Sequence, residues 1–423
     1  MKFKKLVFSI SMACWIFIGC GCPMRASQAM ETAWDPSARQ ISDSIRLSTK
    51  YLVRTCNPNG QFKYIANKSS MRQARPHYNI LRHAGAIYAL VQSYYRQPDD
   101  EVRTALIAAS QFLKSRCMKP LPDRKDLLGI WTLQRVSHVT QPPQIKLGGT
   151  GLGLVALVSM EKVVPGSTST SDLRKLGRFL LFMQKNDGSF YSKFIPSRGG
   201  KNDRWMSLYY SSEAALGLLM LNEMSPSRQW VLAATKAIAY LINHRAMTTS
   251  DQWLLIASAK LMTTKSYPSE ILSRESIIRY VSRACENMLQ EQVLYSPTNE
   301  LIGGYRIDGR TTPTATRIEG LLAALQIIGL KDPGLRNTVK SSARDAMLFL
   351  LRAQITQGTY CGGIPRAVGK FYQNKKYKRR SREIRIDYVQ HALSAMIQYE
   401  KYIILPANKK SMKSIFETRF FPP

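Results

Sequence analysis

Along most of the chain, apolar residues recur at spacings of three and four, the period of a helix that turns one face inward. Ile80 to Tyr95, Leu147 to Met160, Leu173 to Met183, Ala214 to Met224, Leu254 to Met262, Ile318 to Ile328 and Val389 to Ile403 all follow it. Almost no segment alternates with the period of two of a half-buried strand, so the pattern predicts an all-α protein. Small residues sit inside these helices, as in Ala84-Gly85-Ala86, Gly151 with Gly153, and Ala214-Ala215, and let helix axes approach closely.

The helices are of two alternating kinds. One is long and charged on one face: Ser37 to Arg54, Glu101 to Arg116, Ser171 to Gln184, Ser227 to Asn243, Glu270 to Gln290 and Leu335 to Arg352. The other is richer in small and apolar residues. Each of its members follows a polar or aromatic loop: His77-Tyr78-Asn79, Lys146, Tyr209-Tyr210, Asp251-Gln252-Trp253, Thr314-Ala315-Thr316-Arg317 and Arg385-Ile386-Asp387. Six of each predict six stacked helical hairpins, with the apolar kind inside and the charged kind outside. The expected fold is therefore an (α/α)6 toroid over residues 30–405, with a leader over 1–29 and a tail over 406–423. All inner helices enter from one direction, so their partly positive N-termini converge at one end of the ring.

The run Phe179-Leu180-Leu181-Phe182-Met183-Gln184-Lys185-Asn186-Asp187-Gly188-Ser189-Phe190 resembles the repeat of protein prenyltransferases and terpene cyclases, in which an outer helix ends in Gln before an Asp-Gly-Ser-Phe turn. Echoes lie at Asn57-Pro58-Asn59-Gly60-Gln61-Phe62, Gly303-Gly304-Tyr305 and Gly362-Gly363-Ile364. The resemblance implies an α/α toroid, an architecture also similar to six-hairpin glycosidases, several polysaccharide lyases and glucuronyl epimerases. The terpenoid chemistry does not carry over. Where the zinc-holding Asp-x-Cys and His of prenyltransferases would stand, the chain has Thr312-Pro313-Thr314-Ala315-Thr316 and Asp387-Tyr388-Val389-Gln390-His391, of which only His391 fits. The Asp-x-Asp-Asp acid of squalene-type cyclases is missing from the sequence. No metal and no cofactor is expected.

Sugar chemistry fits the converging residues better. Hydrolysis needs two carboxylates across the scissile bond, whereas a lyase or epimerase needs a base, often Tyr or His, with cations to neutralise a uronate. Glu213, Asp251, Asp387 and His83 are the candidate catalytic groups, and Tyr78, Asn79, Arg82, Lys146, Tyr210, Trp253, Arg317 and Glu319 the candidate substrate-binding groups. Tyr209 and His391 lie close to them in sequence, Arg366 and Arg385 add cations, and Trp131 and Trp205 are placed to stack on sugar faces. Each has a structural alternative. A carboxylate in a first turn offsets the helix dipole, His83 fits a core histidine, and Arg317 with Glu319 fits ion pairs that hold neighbouring helices together. The basic, aromatic run from Lys370 to Arg385 is expected to overhang the mouth.

Charge and leader set the surroundings. Lys2, Lys4 and Lys5 precede an apolar stretch from Leu6 to Ile18, the layout of a secretory signal. Phe17-Ile18-Gly19-Cys20 resembles a lipobox, with Phe where Leu is usual, while Ser27-Gln28-Ala29 offers an ordinary cleavage site. Removing Lys2, Lys4, Lys5 and Arg25 from the 61 basic residues still leaves an excess of 29 over the 28 acidic ones. An exported chain of this charge favours polyanionic neighbours. Of the later cysteines, Cys56 and Cys117 end consecutive outer helices, which permits a disulfide if their Cα atoms approach within about 7 Å; two buried thiols are the alternative.

The reading is an exported carbohydrate-active enzyme of the cell envelope, periplasmic or anchored by lipid, acting on an acidic polysaccharide as a hydrolase, lyase or epimerase. The alternative is a non-catalytic toroid that binds an anionic glycan, a lipid headgroup or an envelope protein. A terpene cyclase ranks below both, and nucleic acid is not the expected partner.

Overall fold

Each amphipathic segment folds as a helix in the computed structural model, which describes residues 35–67, 77–138, 140–244, 250–265, 267–297, 299–329, 332–369 and 380–407. The chain runs α1 (Ala38–Thr55), α2 (Ile80–Arg96), α3 (Asp100–Cys117), a one-turn α4 (Gln134–Ser137), α5 (Leu147–Val163) and α6 (Thr170–Met183). It continues with α7 (Tyr210–Met224), α8 (Arg228–His244), α9 (Gln252–Thr263), α10 (Arg274–Gln290), α11 (Thr311–Ile328), α12 (Pro333–Ala353) and α13 (Ile386–Tyr399). The predicted leader, the first ten residues of the Lys370–Arg385 loop and all but the first two residues of the tail lie outside the described residues.

The inner helices α2, α5, α7, α9, α11 and α13 pack each on the next, and α13 packs back on α2, so the ring closes. Glycines set the spacing. A Cβ on Gly151 of α5 would lie 2.8 Å from the Ala214 amide, and one on Gly217 of α7 would lie 2.9 Å from the Gly151 carbonyl. The outer helices α1, α3, α6, α8, α10 and α12 cover the ring. Ser37, Asp99, Ser169, Ser273 and Asp332 cap five of them, each accepting a first-turn amide.

The repeated turn locks each hairpin to its neighbour. Gly188 has φ +89° and lies so close to α8 that a Cβ would stand 2.5 Å from the Lys236 carbonyl. Gln184 reaches from the same turn to the Gly188 and Ala233 carbonyls, at 3.1 and 2.8 Å. Gln292 and Gln354 make the equivalent bridges to Ser342 and to Ser44 with Ser48. The last of these binds the sixth hairpin to the first. Phe62, Phe190, Tyr305 and Ile364 then plug the junctions, all buried.

The structure also holds strands where a helix-only chain was expected. A five-stranded antiparallel layer runs β2 (Met118–Leu121), β3 (Arg124–Thr132), β4 (Gln144–Lys146), β5 (Lys193–Ile195) and β6 (Gly200–Asn202). Separately, β1 (Ile65–Asn67) pairs with β7 (Glu383–Arg385) and joins the first hairpin to the last. The last six residues of β3 are all buried, so they carry no alternation, and most of the others are three residues long. The disulfide permitted between Cys56 and Cys117 is not made: both are free thiols, and burial pushes them up to about 11 and about 12. No helix among the described residues is long and apolar enough to cross a membrane.

Candidate active site

The beginnings of the inner helices surround a cavity of about 410 Å³. Asn79, Arg82, Tyr210, Glu213, Trp253, Arg317 and Asp387 line it together, although they come from opposite ends of the sequence. Arg310, Arg366, Arg380 and Arg385 bring the lining arginines to six. Four of the six inner helices also begin without the side-chain cap found on most outer ones. Lys146, Tyr209, Arg310 and Arg385 stand at the N-cap positions of α5, α7, α11 and α13 and cap nothing with their side chains. Three of those four are cations at the positive end of a helix dipole; Asp308 pairs with Arg310 at 2.7 Å and Asp387 with Arg385 at 2.5 Å.

Asp387 is the hinge of the closed ring. Arg82 of α2 reaches it at 3.0 Å, and Arg385 holds both its oxygens at 2.5 and 2.9 Å. Burial alone would raise its pKa, but Arg82 and Arg385 overcome that and hold it below the usual range. Arg82 also donates to Tyr64, and Arg385 stacks over Tyr388 at 4.4 Å. Arg317 is bound by Glu291 at 2.6 Å. The remaining expected residue of α11, Glu319, sits behind the lining and accepts from His391 Nδ1 at 2.8 Å. Burial disfavours charge on His391, but Glu319 outweighs it and raises the imidazole above its ordinary value. With Nδ1 engaged, Nε2 is the nitrogen left for a ligand. Trp253 lies beside it, ring centres 6.2 Å apart.

Across the ring, Glu213 is buried with Oε2 bonded to no described group. Burial first, and the nearby Asp251 charge second, push its pKa well above the usual carboxylate range and favour the protonated form. Gly148 makes room for it, since a Cβ there would stand 1.9 Å from Glu213 Oε2. Asp251 itself is not in the lining. It caps α9 through the Leu254 amide and accepts from Ser212 at 2.8 Å, a structural post.

The structure removes further candidates from the mouth. His83 and Tyr78 lie in the core of the first hairpin, where the Phe62 amide donates to the Tyr78 oxygen, Tyr78 donates to His83 Nδ1 at 2.7 Å, and His83 Nε2–H donates to the Ala109 carbonyl at 2.9 Å. Burial lowers His83 to about 4, so it is a neutral strut for the Gly60–Phe62 turn. Trp131 is likewise buried, donating to the Lys119 carbonyl. Lys146 lies off the cavity lining, close enough to Arg82 for the two charges to interact. His391 was visible in sequence, one helical turn after Asp387 on the same face. Arg380 belongs to the basic run expected over the mouth and does line it, whereas Arg310, at the N-cap of α11, was not singled out.

No protein-family model matches the sequence, and no curated protein matches it. Solved structures do match in fold. A sugar epimerase from a ruminal bacterium superposes with a TM-score of 0.62 at 10% identity, over 86% of this chain and 98% of its own. The cellobiose 2-epimerase of Spirochaeta thermophila gives 0.59 at 13%, over 87% and 98%. An α-1,6-mannanase of glycoside hydrolase family 76 from a Salegentibacter species gives 0.57 at 9%, over 86% and 99%. A variant of that mannanase with two consecutive aspartates replaced is described as inactive and in complex with α-1,6-mannotetrose. The chain thus has the (α/α)6 toroid shared by these six-hairpin sugar enzymes.

Proposed function

We propose that the protein is a carbohydrate-active enzyme that removes the proton next to the carboxylate of an acidic sugar, the opening step of an epimerisation or a β-elimination. The observation that carries this reading is the His391–Glu319 pair in a mouth lined by six arginines. His391 Nε2 takes the proton; the C–H electron pair passes into the sugar carboxylate, whose oxygens the arginines neutralise. Glu213 lies on the third inner helix and His391 on the sixth, opposite one another in a ring of six. Its neutral carboxyl then returns a proton, to the far face of the carbanion in an epimerisation or to the departing glycosidic oxygen in an elimination.

Hydrolysis is supported less well. It needs a free carboxylate beside the acid, and both Asp387 oxygens are engaged by arginines. The chain has one Asp-Asp pair, Asp99–Asp100, which starts an outer helix at the opposite end of the ring. The same locked Asp387 favours a second reading, a toroid that only binds an anionic glycan. Export through the leader, with lipid on Cys20 or cleavage after Ala29, belongs to the proposal and is checked by the mass of the mature N-terminus.

The test is to incubate the protein in deuterated water with uronate-containing and neutral glycans, following unsaturated products, deuterium uptake at carbon and reducing ends. Deuterium uptake without unsaturation marks an epimerase and unsaturation a lyase, either one lost in His391→Ala. Reducing ends released equally by His391→Ala overturn the mechanism. An inert panel that still binds leaves the binding reading.

A further inference from the structure

Beside the mouth, β4 and β5 place two lysines directly opposite each other: Lys146 pairs in register with Lys193. Like charges facing each other across an antiparallel pair destabilise it. No described carboxylate forms an ion pair with either. The row continues at both ends, because Lys193 interacts with Arg198, and Lys146 with Arg82 in the cavity lining. Burial, and then these neighbouring cations, pull both ammonium groups below their ordinary value. Trp205 stands alongside. It is 53% exposed, carries the Lys193 ammonium over its ring at 4.6 Å, and meets Tyr210 of the cavity edge-on at 5.7 Å. A half-exposed indole beside the two facing lysines suits the flat face of a sugar that bears a negative group.

We propose that the row Arg198, Lys193, Lys146 and Arg82, with Trp205 beside it, is an outer subsite that guides successive units of an anionic polysaccharide into the mouth. The proposal builds on the reading of the mouth as a glycan site and extends it: the ligand is a polymer longer than the cavity, and the strand layer is the side from which it enters. It also gives a reason for the repulsion between β4 and β5, which an anionic chain lying across them converts into attraction.

Affinity electrophoresis of the full-length chain through gels holding polygalacturonate, alginate, heparin or neutral dextran tests this without turnover. The unaltered protein is expected to be retarded by at least one anionic polymer and not by dextran. Trp205→Ala and Lys193→Gln should each weaken that binding by about tenfold, while a galacturonate monomer binds all variants equally. Lys193→Gln should melt no lower than the parent, since a repulsion is removed; lost affinity with kept stability separates the subsite from a folding role. Unchanged polymer affinity in both variants, or no retardation by any anionic polymer, overturns the proposal. So does single-stranded DNA bound as tightly as the best glycan and weakened by the same factor, which marks an unspecific basic surface. Lost affinity in the two variants with an enzymatically inert panel would sink the catalytic reading and leave the subsite standing.

Discussion

Glu213 is buried, with its pKa raised, and its orphaned oxygen makes it the side chain most open to a test. A carboxyl whose folded pKa is raised costs stability once the pH passes the unfolded value, because the unfolded chain then releases a proton that the folded one keeps. Glu213→Gln should therefore unfold at higher temperature than the parent, by a margin that widens as pH rises above 4.5, the ordinary glutamate value. Its turnover should fall about 100-fold or more, as for loss of a general acid. His391 gives the opposite sign. Its value lies above 6.5, so the stability gained from Glu319 is complete below 6.5 and fades as pH rises through the folded value. As a base it must first lose that proton, so kcat/KM should climb with pH through a midpoint above 6.5 and shift downward in Glu319→Gln. A profile indifferent to Glu319→Gln would assign the base elsewhere.

At the scale of elements, the repeated turn decides how hairpins stack. Gly188→Ala meets both a left-handed φ and the Lys236 carbonyl, so a loss of about 2–4 kcal/mol is expected in urea unfolding. Gly362→Ala meets the Leu47 carbonyl of α1, the contact that fastens the last hairpin to the first, and should cost as much. A Gly151→Ala change attacks the inner ring instead. It forces α5 away from α7 at the very turn that carries Glu213, so activity should drop more than stability does. The helices and these turns were legible because period and glycine chemistry are local. The strand layer was not, since three-residue strands and a doubly buried β3 carry no pattern of their own.

For the whole molecule, closure between α2 and α13 is the condition for a site to exist. A chain ending at Arg385 keeps five inner helices but leaves the apolar flanks of α2 and α11 uncovered. It should lose cooperative unfolding and bind a hydrophobic dye, whereas an open solenoid would tolerate the deletion. The formal charge of +33 adds a field over the entire surface, so binding of any polyanion should weaken steeply as salt shortens the screening length.

The sequence by itself determined twelve helices, their alternation between an inner and an outer kind, and the end at which inner N-termini gather, because periodicity and chain direction are local properties. It also named Arg82, Glu213, Trp253, Arg317 and Asp387 for the mouth, since they lie near the converging beginnings of the inner helices. Only the tertiary structure decided the rest. Helical phase turns His83 into the first hairpin, while ring closure sets Asp387 between Arg82 and Arg385 and brings Glu319 to His391. Those outcomes depend on which side chains meet across a closed ring, and pairings between residues as distant as Arg82 and Asp387 leave no trace in local spacing.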